Sequence, residues 1–461
     1  MTATGLPARD PELPHLALAL DTEQMRQEFG RRLDRGDCRI ASCEILRVRH
    51  KPGTNAMICY RVHIHDACSE DKRTQVLTAR LYPRGQSRER FRKASAGTLS
   101  APACGPPLMH LEPMGMLVWA YPNDRKLTGM AVLDDENALR ETVLPPVVAA
   151  HWEKSTAIVS LTREIVHYVP EHGLMVRVDL ELIEPSGRQC SWQIFGKHYT
   201  GGQGEQTFLT MQKLWASTAR AAGALTIAQP LAYQPKHQIL WQEALDGSTL
   251  VDVADLAGRM SQAGAAVAAL HQSEIAVARE LRLGDWIERL SQAKETLQRA
   301  HPQVTSRLDA TVTCLLRRSS ELSGYHPAIL HADLHPKNML ATANGIALID
   351  LDNVASGPPL ADVGSMCASL YAGALLDGSD PARVQAAVAQ FVAAYRANTA
   401  NAVPDFDLGW HTAVALIVER AYRCITRAKA GRIGSVSKLI EMADHLSRNG
   451  GAVAATEAAH V

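Results

Sequence analysis

An α+β chain in which two β-rich regions precede a helical half is what this sequence predicts, on three observations. Residues 39–150 carry short β-branched or alternating runs broken by turns (I-L-R-V-R-H-K-P-G, M-I-C-Y-R-V-H-I, V-L-T-A-R-L-Y). A second such stretch begins near Thr162 with E-I-V-H-Y-V-P, L-M-V-R-V-D-L-E-L, an I-E-P-S-G-R turn and W-Q-I-F-G-K-H-Y. From about Leu250 the texture changes to Ala- and Leu-rich segments with helical spacing, such as A-G-A-A-V-A-A-L-H and W-I-E-R-L-S-Q-A-K-E-T-L.

Length and composition agree with that division. At about 150 residues per domain, 461 residues allow roughly three units. A 46% hydrophobic and 21% charged composition supports packed cores and excludes disorder of the whole chain. Forty-eight basic residues balance forty-eight acidic ones, which argues against a general nucleic-acid or membrane-surface binder. Nine scattered cysteines, none in a C-x-x-C pair, suit a reducing cytoplasm. The opening residues lack a basic segment followed by a long apolar core, and no run of about 18 apolar residues occurs. A cytoplasmic protein with no membrane partner is therefore expected.

The two β-rich stretches can be laid on one another, the first sign to seek in a chain of this length. Residues 80–91 align without a gap on 197–208, so that Tyr82, Gly85, Gln86 and Phe91 fall on Tyr199, Gly202, Gln203 and Phe208. Upstream, Glu44-Ile45 matches Glu164-Ile165; downstream, M-L-V-W-A matches Q-I-L-W-Q. A duplicated unit follows, against the alternative of two unrelated sheets sharing turn chemistry.

The segment that carries chemistry is I-L-H-A-D-L-H-P-K-N-M-L at 329–340, with Asp350 of I-A-L-I-D-L-D twelve residues beyond Asn338. It reads as a polar loop between apolar strands. Phosphoryl transfer needs these residue types: a carboxylate to accept the proton of an attacking hydroxyl, and an amide with a second carboxylate to hold Mg²⁺ on ATP. Asp333 takes the first role, Asn338 and Asp350 the second, and His331 braces the loop.

This H-x-D-x-x-x-x-N pattern resembles the aminoglycoside phosphotransferase and choline kinase-like family, small-molecule relatives of the protein kinases. The likeness covers roughly residues 155–430, including A-A-L-H at 268–271, where His271 is expected to pack, and S-G-P-P-L-A-D-V-G-S at 356–365, where Asp362 would cap a helix or tie the catalytic loop. It implies a bilobal protein kinase-like fold: an ATP-binding β lobe, then a mainly helical lobe. Residues 151–246 would be the ATP lobe and 247–461 the helical lobe with the acceptor site.

Further roles come from the resemblance. Lys197 on the third strand would reach the α- and β-phosphates, and Glu205, opening the next helix, would hold it by an ion pair. Adenine would meet backbone groups near Glu243 and Leu245 in L-W-Q-E-A-L-D-G. Asp352 would assist metal or face the acceptor, against the alternative of an exposed strand-end carboxylate, and His335 would support the site from behind or face the acceptor. Two departures are plain. No G-x-G-x-x-G precedes Lys197, the turn V-P-E-H-G-L having one glycine, and Asp350 is followed by Leu-Asp in place of Phe-Gly.

The first copy has Arg80 at the lysine position and Arg88 opposite Glu205, two like charges that cannot form the positioning ion pair. Residues 1–150 are therefore expected to be a degenerate copy of the ATP lobe, used as a cap or scaffold, as in the bacterial maltokinase-like branch. The run Arg84, Arg88, Arg90, Arg92 and Lys93 reads as a solvated helix face, with anion binding as the alternative. H-I-H-D at 63–66 is weak as a metal site, and G-G-Q-G at 201–204 weak as a phosphate turn.

The expectation is thus an ATP- and Mg²⁺-dependent kinase of a small-molecule hydroxyl on a sugar, amino sugar or aminoglycoside, or amino alcohol. Asp405, Asp407 and Glu419 are acidic residues that could attract an amine, with an ordinary surface place as the favoured alternative. The alternative function is a nucleotide-binding pseudokinase with a regulatory role.

Overall fold

The computed structural model describes residues 10–33, 38–66, 72–127, 129–253, 255–427 and 432–449. The C-terminal stretch from Gly450, which reads as a loose tail, lies outside the described residues. Helices α1 (Leu16–Ala19) and α2 (Thr22–Leu33) lead into β1 (Cys38–Lys51), β2 (Asn55–Asp66), β3 (Lys72–Leu81), α3 (Gln86–Ser95), β4 (Leu108–Leu111) and β5 (Met116–Ala120). These strands form one sheet in the order β1-β2-β3-β5-β4. After α4 (Glu136–Ala138) and α5 (Pro145–His151), the pattern recurs as β6 (Ala157–Val169), β7 (Gly173–Ile183), β8 (Gln189–His198), α6 (Gln203–Trp215), α7 (Thr218–Ala221), β9 (Thr226–Ile227), β10 (Pro230–Gln234) and β11 (Ile239–Glu243). The second sheet is ordered β6-β7-β8-β11-β10, the same path as the first.

The likeness extends to irregularities. β1 slips register against β2 between Ile40 and Ser42 and between Ile45 and Arg47; β6 slips against β7 between Ile158 and Ser160 and between Ile165 and His167. A bulge inserts one residue and bends its strand, so two bulges at matching places give both long hairpins the same bend. Glu44 faces Arg61 across the first hairpin and Glu164 faces Arg177 across the second, each an ion pair, at 2.9 and 2.8 Å. Arg80 lies opposite Met57, and Lys197 opposite Met175. The two β regions are one design built twice.

Both sheets lie in one compact unit. Residues of the intervening segment, among them Leu133, Leu139, Val143 and Val147, are fully buried with Val176, Leu180, Ile194 and Trp241 of the second sheet. The turn between β6 and β7 is gripped from the first copy's side. Glu171, at φ 63°, takes hydrogen bonds from Arg125 at 2.6 and 2.7 Å and an ion pair from Arg80. Asp124 accepts from the Glu171 N–H at 2.9 Å and from the Tyr168 hydroxyl at 2.8 Å. On α3, Arg88 pairs with Glu112 and Lys93 with Glu89, a solvated charged face.

A second compact unit holds α6, α7 and β9 together with the longer helices. Here β12 (Ser248–Thr249) is followed by α8 (Leu256–His271), α9 (Leu283–Ala300), α10 (Thr305–Arg318), β13 (Ala328–Leu330), β14 (Met339–Thr342), β15 (Gly345–Leu348) and β16 (Ala355–Gly357). Then come α11 (Leu360–Asp377), α12 (Pro381–Asn398), α13 (Asp405–Ala415), α14 (Tyr422–Thr426) and α15 (Val436–Asn449). The small residues of α8 let α12 approach closely: a Cβ on Gly264 would stand 2.4 Å from the Phe391 carbonyl oxygen. No helix among the described residues is long and apolar enough to cross a membrane.

Candidate active site

The polar loop 331–338 is held at both ends by strand pairing. β13 pairs with β16, and β14 forms a hairpin with β15 whose turn passes through Gly345 at φ 117°, a conformation that needs glycine. The Ile349 N–H donates to the Asn338 carbonyl at 3.0 Å, which carries the hairpin on to Asp350.

Asp362, in the first turn of α11 and almost fully buried, organises the start of the loop. Its two oxygens accept from the His331 N–H at 2.6 Å and the Ala332 N–H at 2.9 Å. The Asp362 carboxylate also meets His271 Nε2 at 3.2 Å, and His271 Nδ1 meets the Tyr395 hydroxyl at 2.8 Å, so α8, α11 and α12 converge on one carboxylate. Ala332 sits at φ 59°, a left-handed conformation that costs an L-residue on the order of 1–2 kcal/mol and lasts only where neighbours enforce it. His331 is fully buried, and its Nε2 donates to the Ile349 carbonyl at 2.8 Å. It ties the loop to the strand that ends at Asp350.

Asp333 follows. Its Oδ1 receives a hydrogen bond from Arg423 Nη2 at 3.2 Å, and His335 Nε2 lies 4.0 Å from its Oδ2. Burial would raise the carboxyl, but the charges of Arg423 and the loop histidines outweigh it and hold Asp333 below its ordinary value. Burial together with Arg420 and Arg423 pushes His335 down to about 4 against the pull of Asp333. At neutral pH the pair is carboxylate and neutral imidazole.

Asn338 is buried, and its Nδ2 donates to the Asp333 carbonyl at 3.0 Å. That bond uses the amide's donor side toward the loop and leaves Oδ1 as an oxygen donor for a cation. Asp350 is exposed at φ 60° in the left-handed region. An amide oxygen plus a carboxylate is a hard donor set, fit for Mg²⁺ with waters completing its shell. Among the described residues no group of three or more His, Cys, Asp and Glu forms a metal cluster. Asp352 follows in the short 3₁₀ turn Leu351–Asn353.

Lys197, in the unit of the two sheets, occupies β8, the third strand of its sheet, with Nζ 5.3 Å from the Tyr199 ring centroid. Glu205 stands exposed in the first turn of α6. Glu243 ends β11, its N–H donating to the Gln229 carbonyl at 2.9 Å, and Leu245 lies in the irregular segment after it.

The acidic residues considered for an amine are otherwise engaged. Asp405 pairs with Arg396, Asp407 is buried and accepts from the Ser323 N–H at 3.1 Å, and Glu419 meets Ser365 Oγ at 2.7 Å and Arg420 Nη2 at 3.1 Å. Ser365 Oγ also lies 3.1 Å from the Leu334 carbonyl, so α11 links the loop to the Glu419–Arg420 pair. The sequence around the loop gives no sign of Arg420 and Arg423. They lie some 90 residues from the loop, and their three-residue spacing is the only local signal.

Residues 204–403 match the model of a family described as phosphotransferase enzyme family. No curated protein matches the chain. Among solved structures, choline kinase LicA from Streptococcus pneumoniae is 13% identical, with 63% of this chain and 93% of that one covered and a TM-score of 0.41. A choline/ethanolamine kinase family protein from Mesorhizobium loti is 12% identical over 63% and 93%, TM-score 0.40. The aminoglycoside phosphotransferase APH(4)-Ia, solved with ADP and hygromycin B, is 12% identical over 63% and 94%, TM-score 0.43.

Proposed function

We propose that this chain, which carries the phosphotransferase enzyme family region at residues 204–403, is a kinase that transfers the γ-phosphoryl group of ATP to a hydroxyl of a small molecule. One observation carries the reading: on a single braced loop an ionised carboxylate, Asp333, lies beside a buried amide, Asn338, whose donor side is already used and whose oxygen is left for a cation. A loop built only for structure has no need of a half-buried carboxylate held ionised.

Asp333 accepts the proton of the acceptor hydroxyl as that oxygen bonds the γ-phosphorus; the bond to the β-phosphate oxygen breaks and ADP leaves with the electron pair. Mg²⁺, held by Asn338 and Asp350, would neutralise charge on the β- and γ-phosphates. Lys197 would engage the α- and β-phosphates with Glu205 as its partner, and adenine would meet the backbone near Glu243 and Leu245. Asp352 and His335 face the acceptor in this reading, and His331 keeps the loop in register. Sugars, amino sugars or aminoglycosides, and amino alcohols are the starting panel.

Asp333→Asn tests the assignment. ADP release with Mg-ATP and an acceptor should fall at least a thousandfold while ATP affinity stays within about threefold. Unchanged turnover would remove Asp333 as the base. Nucleotide binding with no ADP release across the panel in the unmutated protein would favour a binding-only role.

A further inference from the structure

The surroundings of Asp333 differ from what a cationic acceptor requires. Arg420 lies in the last turn of the π-helical segment Leu416–Ala421 and Arg423 follows in α14, three residues on and so near it on the helix surface. π segments recur at functional sites because the extra residue redirects side chains. Arg423 donates to the Asp333 carboxylate, the two side chains being 27% and 28% exposed, open enough for a ligand to enter. Arg420 is more enclosed, at 13%, and its buried Nε has no hydrogen-bond partner although Nη2 meets Glu419. A guanidinium presents five donors in a fixed fork that suits carboxylate or phosphate. Arg423 touches the base directly, and Arg420, tied to the loop through Glu419 and Ser365, has a buried donor to spare.

Of the acids beside these arginines, two are committed elsewhere. Glu419 is shared between Ser365 and Arg420, and Asp333 must point at the hydroxyl that it deprotonates. An acceptor hydroxyl that meets Asp333 at Oδ2 leaves Arg423 on Oδ1, and the other donors of that fork can take an anion carried by the acceptor.

We infer that the acceptor carries an oxyanion, a carboxylate or a phosphate, close to the hydroxyl it offers, and that Arg420 and Arg423 hold this group beside Asp333. The inference rests on the kinase reading and narrows it: hydroxy acids and phosphorylated polyols fit, whereas choline and aminoglycosides meet two guanidiniums. Arg420 and Arg423 thus determine specificity, and Arg423 also steadies the base.

The test separates this site from the place of the transferable phosphate by filling that place first. The full chain is saturated with Mg²⁺ and the non-hydrolysable analogue AMP-PNP, and inorganic phosphate is titrated in by calorimetry. Phosphate should bind, and Arg420→Gln should weaken it at least tenfold with AMP-PNP affinity within about twofold. Arg423→Gln, at the more exposed position, should do the same and covers the case in which the Arg420 variant fails to fold. In parallel, ADP release is compared for glycerate against glycerol, gluconate against glucose and glucosamine, and glycerol 3-phosphate against choline. The anionic member of each set should have kcat/KM at least tenfold higher. Absence of phosphate binding, binding unmoved in both variants, loss of AMP-PNP affinity in Arg423→Gln with phosphate unaffected, or preference for the amines would each overturn the inference. Phosphate binding that needs both arginines, with no ADP release from any acceptor, would uphold the anion site and instead overturn the kinase reading.

Discussion

Arg80, the residue of the first sheet that corresponds to Lys197 of the second, forms an ion pair with Glu171 in the turn between β6 and β7. The position that would serve phosphates in one copy has become a clamp on the other copy's turn. Arg125 closes the same carboxylate from a second side, and Asp124 fixes the backbone of the turn.

Glu171→Gln should destabilise the protein by about 3 kcal/mol at pH 7, because two partly buried guanidiniums lose their counter-charge. Burial would raise the carboxyl, but hydrogen bonds and charges from Arg125 and Arg80 bring it to about 2. A depressed carboxylate contributes in full above its unfolded value, about 4.3, and its contribution is lost as pH falls through about 2. Urea unfolding at pH 7 and at pH 2.5 should show the difference between the two proteins shrinking at the lower pH; a constant difference would argue that the effect is packing.

Asp362→Ala leaves the buried His331 N–H and the partly buried Ala332 N–H without an acceptor and removes a partner of His271. Each orphaned donor costs about 1–3 kcal/mol. The melting temperature should drop and kcat should fall more than tenfold, with AMP-PNP affinity kept within about threefold. Asp362→Asn, which retains one acceptor, should lie between. Equal kcat in all three proteins would show that the left-handed Ala332 does not depend on this carboxylate.

Gly264→Ala and Gly373→Ala form a matched pair. Both glycines lie in helices, but a Cβ at Gly264 would sit 2.4 Å from the Phe391 carbonyl oxygen and 2.8 Å from the Tyr395 nitrogen, whereas nothing lies within 4 Å of one at Gly373. Forcing α8 from α12 should cost about 1–3 kcal/mol net, while the open position should gain up to about 1 kcal/mol from helix propensity. Thermal unfolding that moved both variants the same way would contradict the close approach of α8 and α12.

The pH profile of kcat/KM should report Asp333. Its carboxyl is held below the ordinary range, so the acid limb should lie below about pH 4. In Arg423→Gln the restraining charge is gone, burial dominates, and the limb should shift to higher pH. A limb near pH 6–7 in the unmutated protein would point to a histidine in the base's place.

Local pattern alone made much of this protein legible. Strands alternate with period two, the helical half is rich in small and apolar residues, and the spacing from His331 through Asp333 and Asn338 to Asp350 lies within twenty residues, where chain geometry restricts the partners available. The duplication was visible in Tyr82 and Tyr199 and in the paired glutamates; the matching bulges behind Ile45 and Ile165 were not, since a bulge is a relation between two strands. Other features depended on distance along the chain. Asp362 was readable as a residue that either caps a helix or ties the loop, and only its place beside His331 and Ala332 decided for the loop. The pairing of Arg80 with Glu171 and the presence of Arg420 and Arg423 around Asp333 depend on residues about 90 positions apart. Charged side chains on a helix read as solvated until packing brings them beside a buried carboxylate, because charge is written in the sequence while the burial that gives it energetic weight is made only by the tertiary fold.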